Sequence, residues 1–441
     1  MKQTLLKAFM LMLVAVFATS ATADNTFTAA DGNTYKWVLN DDGTTATITG
    51  CTTNQETDLD IPEKVTADNK TWYTVTEIGN WALGGRSSHS IKLPSTLVKI
   101  GSNAFSADPY FTSITIPASV TEIGACAFQY CSDLKTVIIN ASSSLKIGDA
   151  AFSTDIIDLF VKPGSLESVI ITSETPPTLY KDPNYKYGTT YPYFSPSAKI
   201  YVPDATDGKA TTSAQYKYKQ AWSDYSSKIY RYFDKKLAGP FYGWYYSTLA
   251  LPYAVEIPSE ESTFAVYTVS TIKKNEGLSA ATMTKISSAS VTTKAYIPAK
   301  TGVVLKSNSN AYIPRFFETT ENVTSVADKL QPCIEDGGLP NDYTSYLTLG
   351  PDKEMLAQGL TVLGFYLYTG ATIARNTAYM KITDAGAKKM TLTFDENTTS
   401  IKGVEEIDQS QQNMVFDLQG RRVMNPRKGN CYIINGKKVI Y

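Results

Sequence analysis

The sequence predicts a mainly β chain: a solenoid of parallel strands joined by short helical turns, then an antiparallel β-sandwich-like domain and a short C-terminal β hairpin. Three observations predict it. The pattern Ile-Gly-x-x-Ala plus a large apolar residue recurs four times between residues 78 and 152. From about Gly239 that pattern gives way to short β-branched runs bounded by turn residues, the signature of antiparallel strands. Near the end, Asn435-Gly436 stands between two apolar runs, and both residues tolerate the positive φ of a tight hairpin turn.

The first segment, residues 1–23, reads as a secretory signal. Lys2 and Lys7 precede the apolar run Ala8 to Ala18, and Ala21-Thr22-Ala23 supplies small residues at a cleavage point. The run falls short of the roughly 20 apolar residues that cross a bilayer. The mature chain is expected to begin near Asp24, at the cell surface or outside the cell, with the periplasm as the alternative. A β cap is expected over 24–58, from Tyr35-Lys36-Trp37-Val38-Leu39 and Ala46-Thr47-Ile48-Thr49.

The repeats, with their closing element, occupy 59–235. Gly79, Gly101, Gly124 and Gly148 mark the register, separated by 22, 23 and 24 residues (79 to 101 to 124 to 148). Ala82, Ala104, Ala127 and Ala151 follow three residues later, then Leu83, Phe105, Phe128 and Phe152. Upstream, Ile91-Lys92-Leu93-Pro94 and Ile114-Thr115-Ile116-Pro117 are short strands ended by proline, which offers no N–H to a ladder. No single copy can bury its apolar face, so successive copies must stack. Ile78, Ile100, Ile123 and Ile147, with Leu83, Phe105, Phe128 and Phe152, are the expected core. The glycines are expected to supply a positive-φ turn, and the alanines to let a half-turn of helix approach the sheet.

These residues carry a resemblance. VTEIGNWAL, STLVKIGSNAF, SVTEIGACAFQYCSDLKTVII and LKIGDAAF resemble the BspA-like class of bacterial leucine-rich repeats, whose consensus runs Ile-Pro-x-x-Val-x-x-Ile-Gly-x-x-Ala-Phe-x-x-Cys-x-x-Leu. The copy from Ile116 to Leu134 matches nearly every position, including Cys131; the first copy departs after Leu83, and the fourth lacks the cysteine. The closing pattern of the family has a counterpart in Ile200-Tyr201-Val202-Pro203 through Tyr218, Trp222 and Ile229. The resemblance spans about residues 25 to 230 and implies adhesion to host or bacterial surface proteins or glycans. The tail, 413–441, follows a polar linker at 397–412. Its FDLQGRRV and NGKKVI segments resemble sorting domains of type IX (Por) secretion, though it is much shorter. A terminal hairpin docked on the preceding domain, 239–396, is the alternative.

Function classes narrow by subtraction. Formal net charge is −1, which argues against nucleic acid as a partner and leaves the chain peripheral to the outer membrane at most. The five cysteines form no CxxC pair; Cys126 and Cys131 either pair or pack as buried thiols. His89 is the one histidine. A Ser-His-Asp triad would have to use it, but its place in the loop GRSSHS, at the variable edge of the first repeat, reads as an exposed loop residue. An imidazole metal site, which needs two or three histidines, lacks its groups. No phosphate-loop, dinucleotide or nucleophile-elbow motif occurs. The expectation is a binding protein that needs no cofactor and no metal and is not an enzyme. The alternatives are a structural module of the envelope and, more remotely, a two-carboxylate glycan hydrolase in 240–400. Candidate contact residues are the outward sheet positions Lys92, Thr115 and Ile138, each 23 residues apart, and the loop tyrosines Tyr180, Tyr185, Tyr187, Tyr191 and Tyr193.

Overall fold

The computed structural model describes residues 24–53, 57–142, 144–154, 165–182, 192–204, 213–241, 243–258, 264–275, 278–286, 294–309, 313–321, 323, 329–334, 337–338, 345–351, 363–367, 372–382, 389–395, 415–416, 422–423, 431–434 and 437–440. The chain divides into two compact units, 1–232 and 233–441. The signal segment, the linker and Tyr185, Tyr187 and Tyr191 lie outside the described residues.

In the first unit the coils contribute strands to two parallel sheets, except that Leu59–Asp60 and Ile91–Lys92 of the earliest coils form a parallel pair of their own. One sheet runs Tyr73–Ile78, Lys99–Ile100, Glu122–Ile123, Lys146–Gly148 and Thr178–Tyr180, with Ile78, Ile100, Ile123, Ile147 and Leu179 in one inward row. The antiparallel strands Asn25–Thr28, Thr34–Leu39 and Thr45–Cys51 cap its first edge, the last pairing in parallel with Tyr73–Ile78. The other sheet runs Ser113–Ile116, Thr136–Ile139, Ser168–Ile171, Lys199–Pro203 and Ile229–Asp234. Alternate residues point inward here, as the pleat requires: Ile114, Val137, Val169 and Ile200 are all buried.

A third hydrogen-bonded column follows each Ile-Gly corner. Leu83 N–H donates to Ala104 O, Phe105 N–H to Ala127 O and Phe128 N–H to Ala151 O, each at 2.8 Å. This segment is a run of tight turns: alternate N–H groups bond to the next coil, and those between them reach back three residues within their own, as Ala104 N–H does to Gly101 O and Ser106 N–H to Asn103 O. Inside it the rings stack. Phe105 and Phe128 lie 5.2 Å apart and 6° from parallel, and Phe128 and Phe152 lie 5.2 Å apart and 4° from parallel. Phe194 continues the stack at 5.7 Å, and Trp222 closes it at 5.5 Å. The helix Ala214–Ala221, capped by the Ser213 hydroxyl accepting from Tyr216 N–H, holds this end. Its Tyr218 hydroxyl and the Trp222 indole donate to the carbonyls of Ser173 and Pro177.

The glycines act differently from expectation. A Cβ on Gly101, Gly124 or Gly148 would come within 2.5–2.6 Å of a backbone atom of the neighbouring coil, so close stacking demands glycine there. Positive φ falls two residues later, on Trp81, Asn103, Cys126 and Ala150 at 55–60°. A left-handed turn at a residue with a Cβ costs about 1 kcal/mol or more, so the inter-coil bonds of this column hold strained turns in place.

In the second unit a ten-stranded sheet, largely antiparallel, curls until Ala378 N–H donates to Thr248 Oγ1 across its ends. Its concave face buries Tyr267, Met283, Val304, Phe365 and Met380. Its other face buries Val266, Val303 and Leu305 against Val255, Ile297 and Phe316 of three short antiparallel strands, Val255–Glu256, Tyr296–Ile297 and Arg315–Glu318, which gives the sandwich-like layering. The C-terminal hairpin Cys431–Ile434 and Lys437–Ile440 is half of a four-stranded antiparallel sheet with Val415–Phe416 and Arg422–Val423.

Candidate functional site

Parallel strands about 4.8 Å apart turn one outward position per coil into a continuous row. Thr115 faces Ile138, Ile138 faces Ile170, Ile170 faces Tyr201, and Tyr201 faces Tyr230 in register. Ser113, Thr136, Ser168 and Lys199 form a parallel polar row beside it. Accessibility changes along the row: Thr115 is exposed and Ile138 half-buried, whereas Ile170 and Tyr201 are 6 % and 9 % exposed. The open surface is therefore at the early coils. Lys92 belongs to the same end of the unit, on the two-stranded pair of Leu59–Asp60 with Ile91–Lys92, where its Nζ lies 3.1 Å from Asp60 Oδ2.

The tyrosines do not join this row. Tyr180 sits on the other sheet, opposite Gly148. Burial, with Glu122, Asp182 and Asp149 nearby, pushes the phenol up to about 12. Tyr193 follows suit: its carbonyl accepts from Phe152 N–H at 2.9 Å, and burial beside Asp149 pushes its hydroxyl up to about 12. Both are built into the coil stack.

Two arrangements escaped sequence reasoning. Along the outward row of the first sheet Glu77, Lys99, Glu122 and Lys146 alternate in sign, each opposite its neighbour in register. Lys99 Nζ lies 3.3 Å from Glu122 Oε1. The signal was the residue before each Ile-Gly, which reads Glu, Lys, Glu, Lys. The second lies three residues past the large apolar residue, the slot of Cys131, which earlier coils fill with Arg86 and Asp108. Cys131 and Cys126 are buried thiols outside any disulfide, and Cys131 Sγ donates to Phe105 O.

Asp108 is fully buried. Its Oδ1 accepts from Ser88 N–H at 2.9 Å, and Oδ2 has no hydrogen-bond partner. Burial pushes the carboxyl up to about 6, against the opposing pull of Ser88 and Arg86. Between its unfolded value near 3.8 and about 6, the folded protein keeps a proton that the unfolded chain has released. This group's stabilisation is thus complete below pH 4 and lost as pH rises through 6, an effect of about 3 kcal/mol. Asp108→Asn retains the acceptor for Ser88 and mimics the protonated form. Its urea midpoint is expected to exceed the parent's clearly at pH 7.5 and barely at pH 4; an equal offset at both values would refute the assignment. Elsewhere, exposed His89 stacks on Tyr110 at 5.8 Å. Among the described residues no group of three His, Cys, Asp or Glu is placed to hold a metal ion, and no helix is long and apolar enough to cross a membrane.

Residues 63–171 match the BspA type leucine rich repeat region in six copies, and this segment is a repeat region of that type. No curated protein matches the sequence. Among solved structures, the chain is similar to a leucine-rich repeat protein from Bacteroides capillosus, 25% identical over 40% of this chain and 98% of that one, with a TM-score of 0.23. It is similar to a leucine rich cell surface protein from Faecalibacterium prausnitzii, 23% identical over 42% of this chain and 56% of that one, with a TM-score of 0.26. The pneumococcal vaccine antigen PcpA is 18% identical over 42% of this chain and 51% of its own, with a TM-score of 0.28. The chain spans about half the length of these last two.

Proposed function

We propose that this BspA-type leucine-rich-repeat protein is exported and acts, without catalysis, by binding a protein or glycan at the cell surface through the outward face of its early coils. The observation that supports the reading is the registered pair Thr115 and Ile138, flanked by Ser113 and Thr136, on a face whose inward side is locked by the core. Such a face is rigid before contact, so binding orders little chain. Its mix of exposed hydroxyl and aliphatic groups suits a protein surface or a sugar. Export rests on the signal segment at 1–23, and the tail at 413–441 is the proposed sorting element.

The test is an array of matrix proteins, bacterial surface proteins and glycans probed with the full chain and with Thr115→Glu/Ile138→Glu. Both positions point away from the core, so the variant is expected to keep the parent's Tm and lose binding at least tenfold. Undiminished binding by the variant, or no binding by the parent to any member of the array, sinks the proposal.

A further inference from the structure

At the start of the first unit the cap loop Ala29–Asp31 and two successive proline corners enclose a groove of about 340 Å³. The corners are Ile61-Pro62-Glu63 and Leu93-Pro94-Ser95. Ile61 and Leu93 are buried in its floor, and prolines donate no hydrogen bond, so the floor is apolar. The rim is charged and exposed: Asp31, Asp60 and Glu63 face a single base, Lys92. The three carboxylates are not equivalent. Asp31 is occupied structurally, accepting from the Asn33 side chain, the Tyr35 hydroxyl and the Asp60 N–H. Glu63 Oε1 accepts from the Ser95 hydroxyl at 2.6 Å. Asp60 holds only the Lys92 amine in the bonds shown, and that pair is highly exposed, 55 % and 76 %. An ion pair so exposed is worth little, so Lys92 is readily displaced.

We infer that this groove docks a lysine-type side chain of a partner polypeptide, with the aliphatic stem on the proline corners and the ammonium between Asp60 and Glu63. The inference rests on the binding reading above and adds the partner's chemistry. Charge complementarity sets the sign of the occupant: with Asp31 held by the cap, the exposed carboxylates of Asp60 and Glu63 against one displaceable amine favour a cation. The apolar floor sets its shape, since a basic side chain couples a hydrocarbon stem to a charged head. A compact metal ion gains nothing from Ile61 and Leu93. The volume lies at the lower end of ligand pockets, about 300–1,000 Å³, and holds one such side chain with part of its backbone.

The test titrates the full chain with a hexalysine peptide at low ionic strength, with hexaglutamate as control, by calorimetry. Asp60→Asn/Glu63→Gln keeps the acceptor for Ser95 and is expected to weaken hexalysine about tenfold. Lys92→Ala is expected to tighten it severalfold, while Lys99→Ala, identical in net charge but set on the other sheet, leaves it unmoved. Absence of hexalysine binding overturns the inference, as do an undiminished affinity in the Asp60/Glu63 variant and an equal gain from Lys99→Ala. The two proposals fail separately. Array binding that depends on Thr115 and Ile138 without groove-dependent hexalysine binding removes the groove alone, and the converse removes the face.

Discussion

Gly124→Ala is expected to destabilise the repeat unit by more than about 4 kcal/mol, in the range reserved for severe core damage. The added methyl would sit 2.5 Å from Ser102 N, 2.7 Å from Gly101 C and 2.8 Å from Ser102 Cα. All three are backbone atoms, so no rotamer change relieves the clash. The coils cannot separate locally either, because Gly124 N–H donates to Ile100 O at 2.8 Å and Asn103 N–H to Ala125 O at 2.9 Å, on both sides of the contact. Gly85 is the matched control. Its φ of +71° strains any other residue, but a Cβ there meets nothing within 4 Å, so Gly85→Ala should cost only about 1–2 kcal/mol. Urea unfolding of the two variants separates steric stacking from backbone conformation. A Gly124→Ala variant within 1 kcal/mol of the parent would end the stacking account.

Phe128→Ala is expected to cost about 3–5 kcal/mol, since the ring is fully buried and the cavity left behind is walled by coils that cannot close. It has an aromatic neighbour on each face, at 5.2 Å in both cases, and each ring pair adds about 0.5–1.5 kcal/mol beyond buried area. Phe105→Ala/Phe128→Ala should fall short of the sum of the single changes, because the two residues share one contact that is lost only once. Equilibrium urea denaturation of the three variants measures this directly. Strict additivity would mean that the stacked rings do not support one another.

The periodicity in the sequence exposed what each coil repeats: the Ile row, the four glycines, the alanines and the phenyl column were legible because identical slots carry identical residues. What the repeats do to one another was harder to read. Glycine was legible as a requirement but not its cause, since close approach and positive φ select the same residue; only the Cβ distances separate them. The positive-φ sites bear Trp, Asn, Cys and Ala, so composition gave no cue. Phe194 belongs to the ring stack yet lies 42 residues after Phe152 (194 − 152), beyond any regular spacing. Glu77 and Glu122 looked like independent solvated acids because the lysines between them complete the pattern only across strands. Asp108 was invisible as a buried acid, for an aspartate in a loop reads as surface until the Cys131 slot is known to point inward. Of the contact residues, Thr115 and Ile138 come together, while Tyr180 and Tyr193 lie elsewhere.

The bonds that join one coil to the next, in both sheets and in the turn column, run along the axis of the unit instead of around it. Tension applied along that axis loads the boundaries between coils in series, and each boundary yields as one event. Each coil released would lengthen the tether by roughly 80 Å for some 23 residues drawn out straight, while the remaining coils keep their shape. Held between two anchored bodies, such a chain would give way in steps and take up a sudden jolt without losing its grip at once.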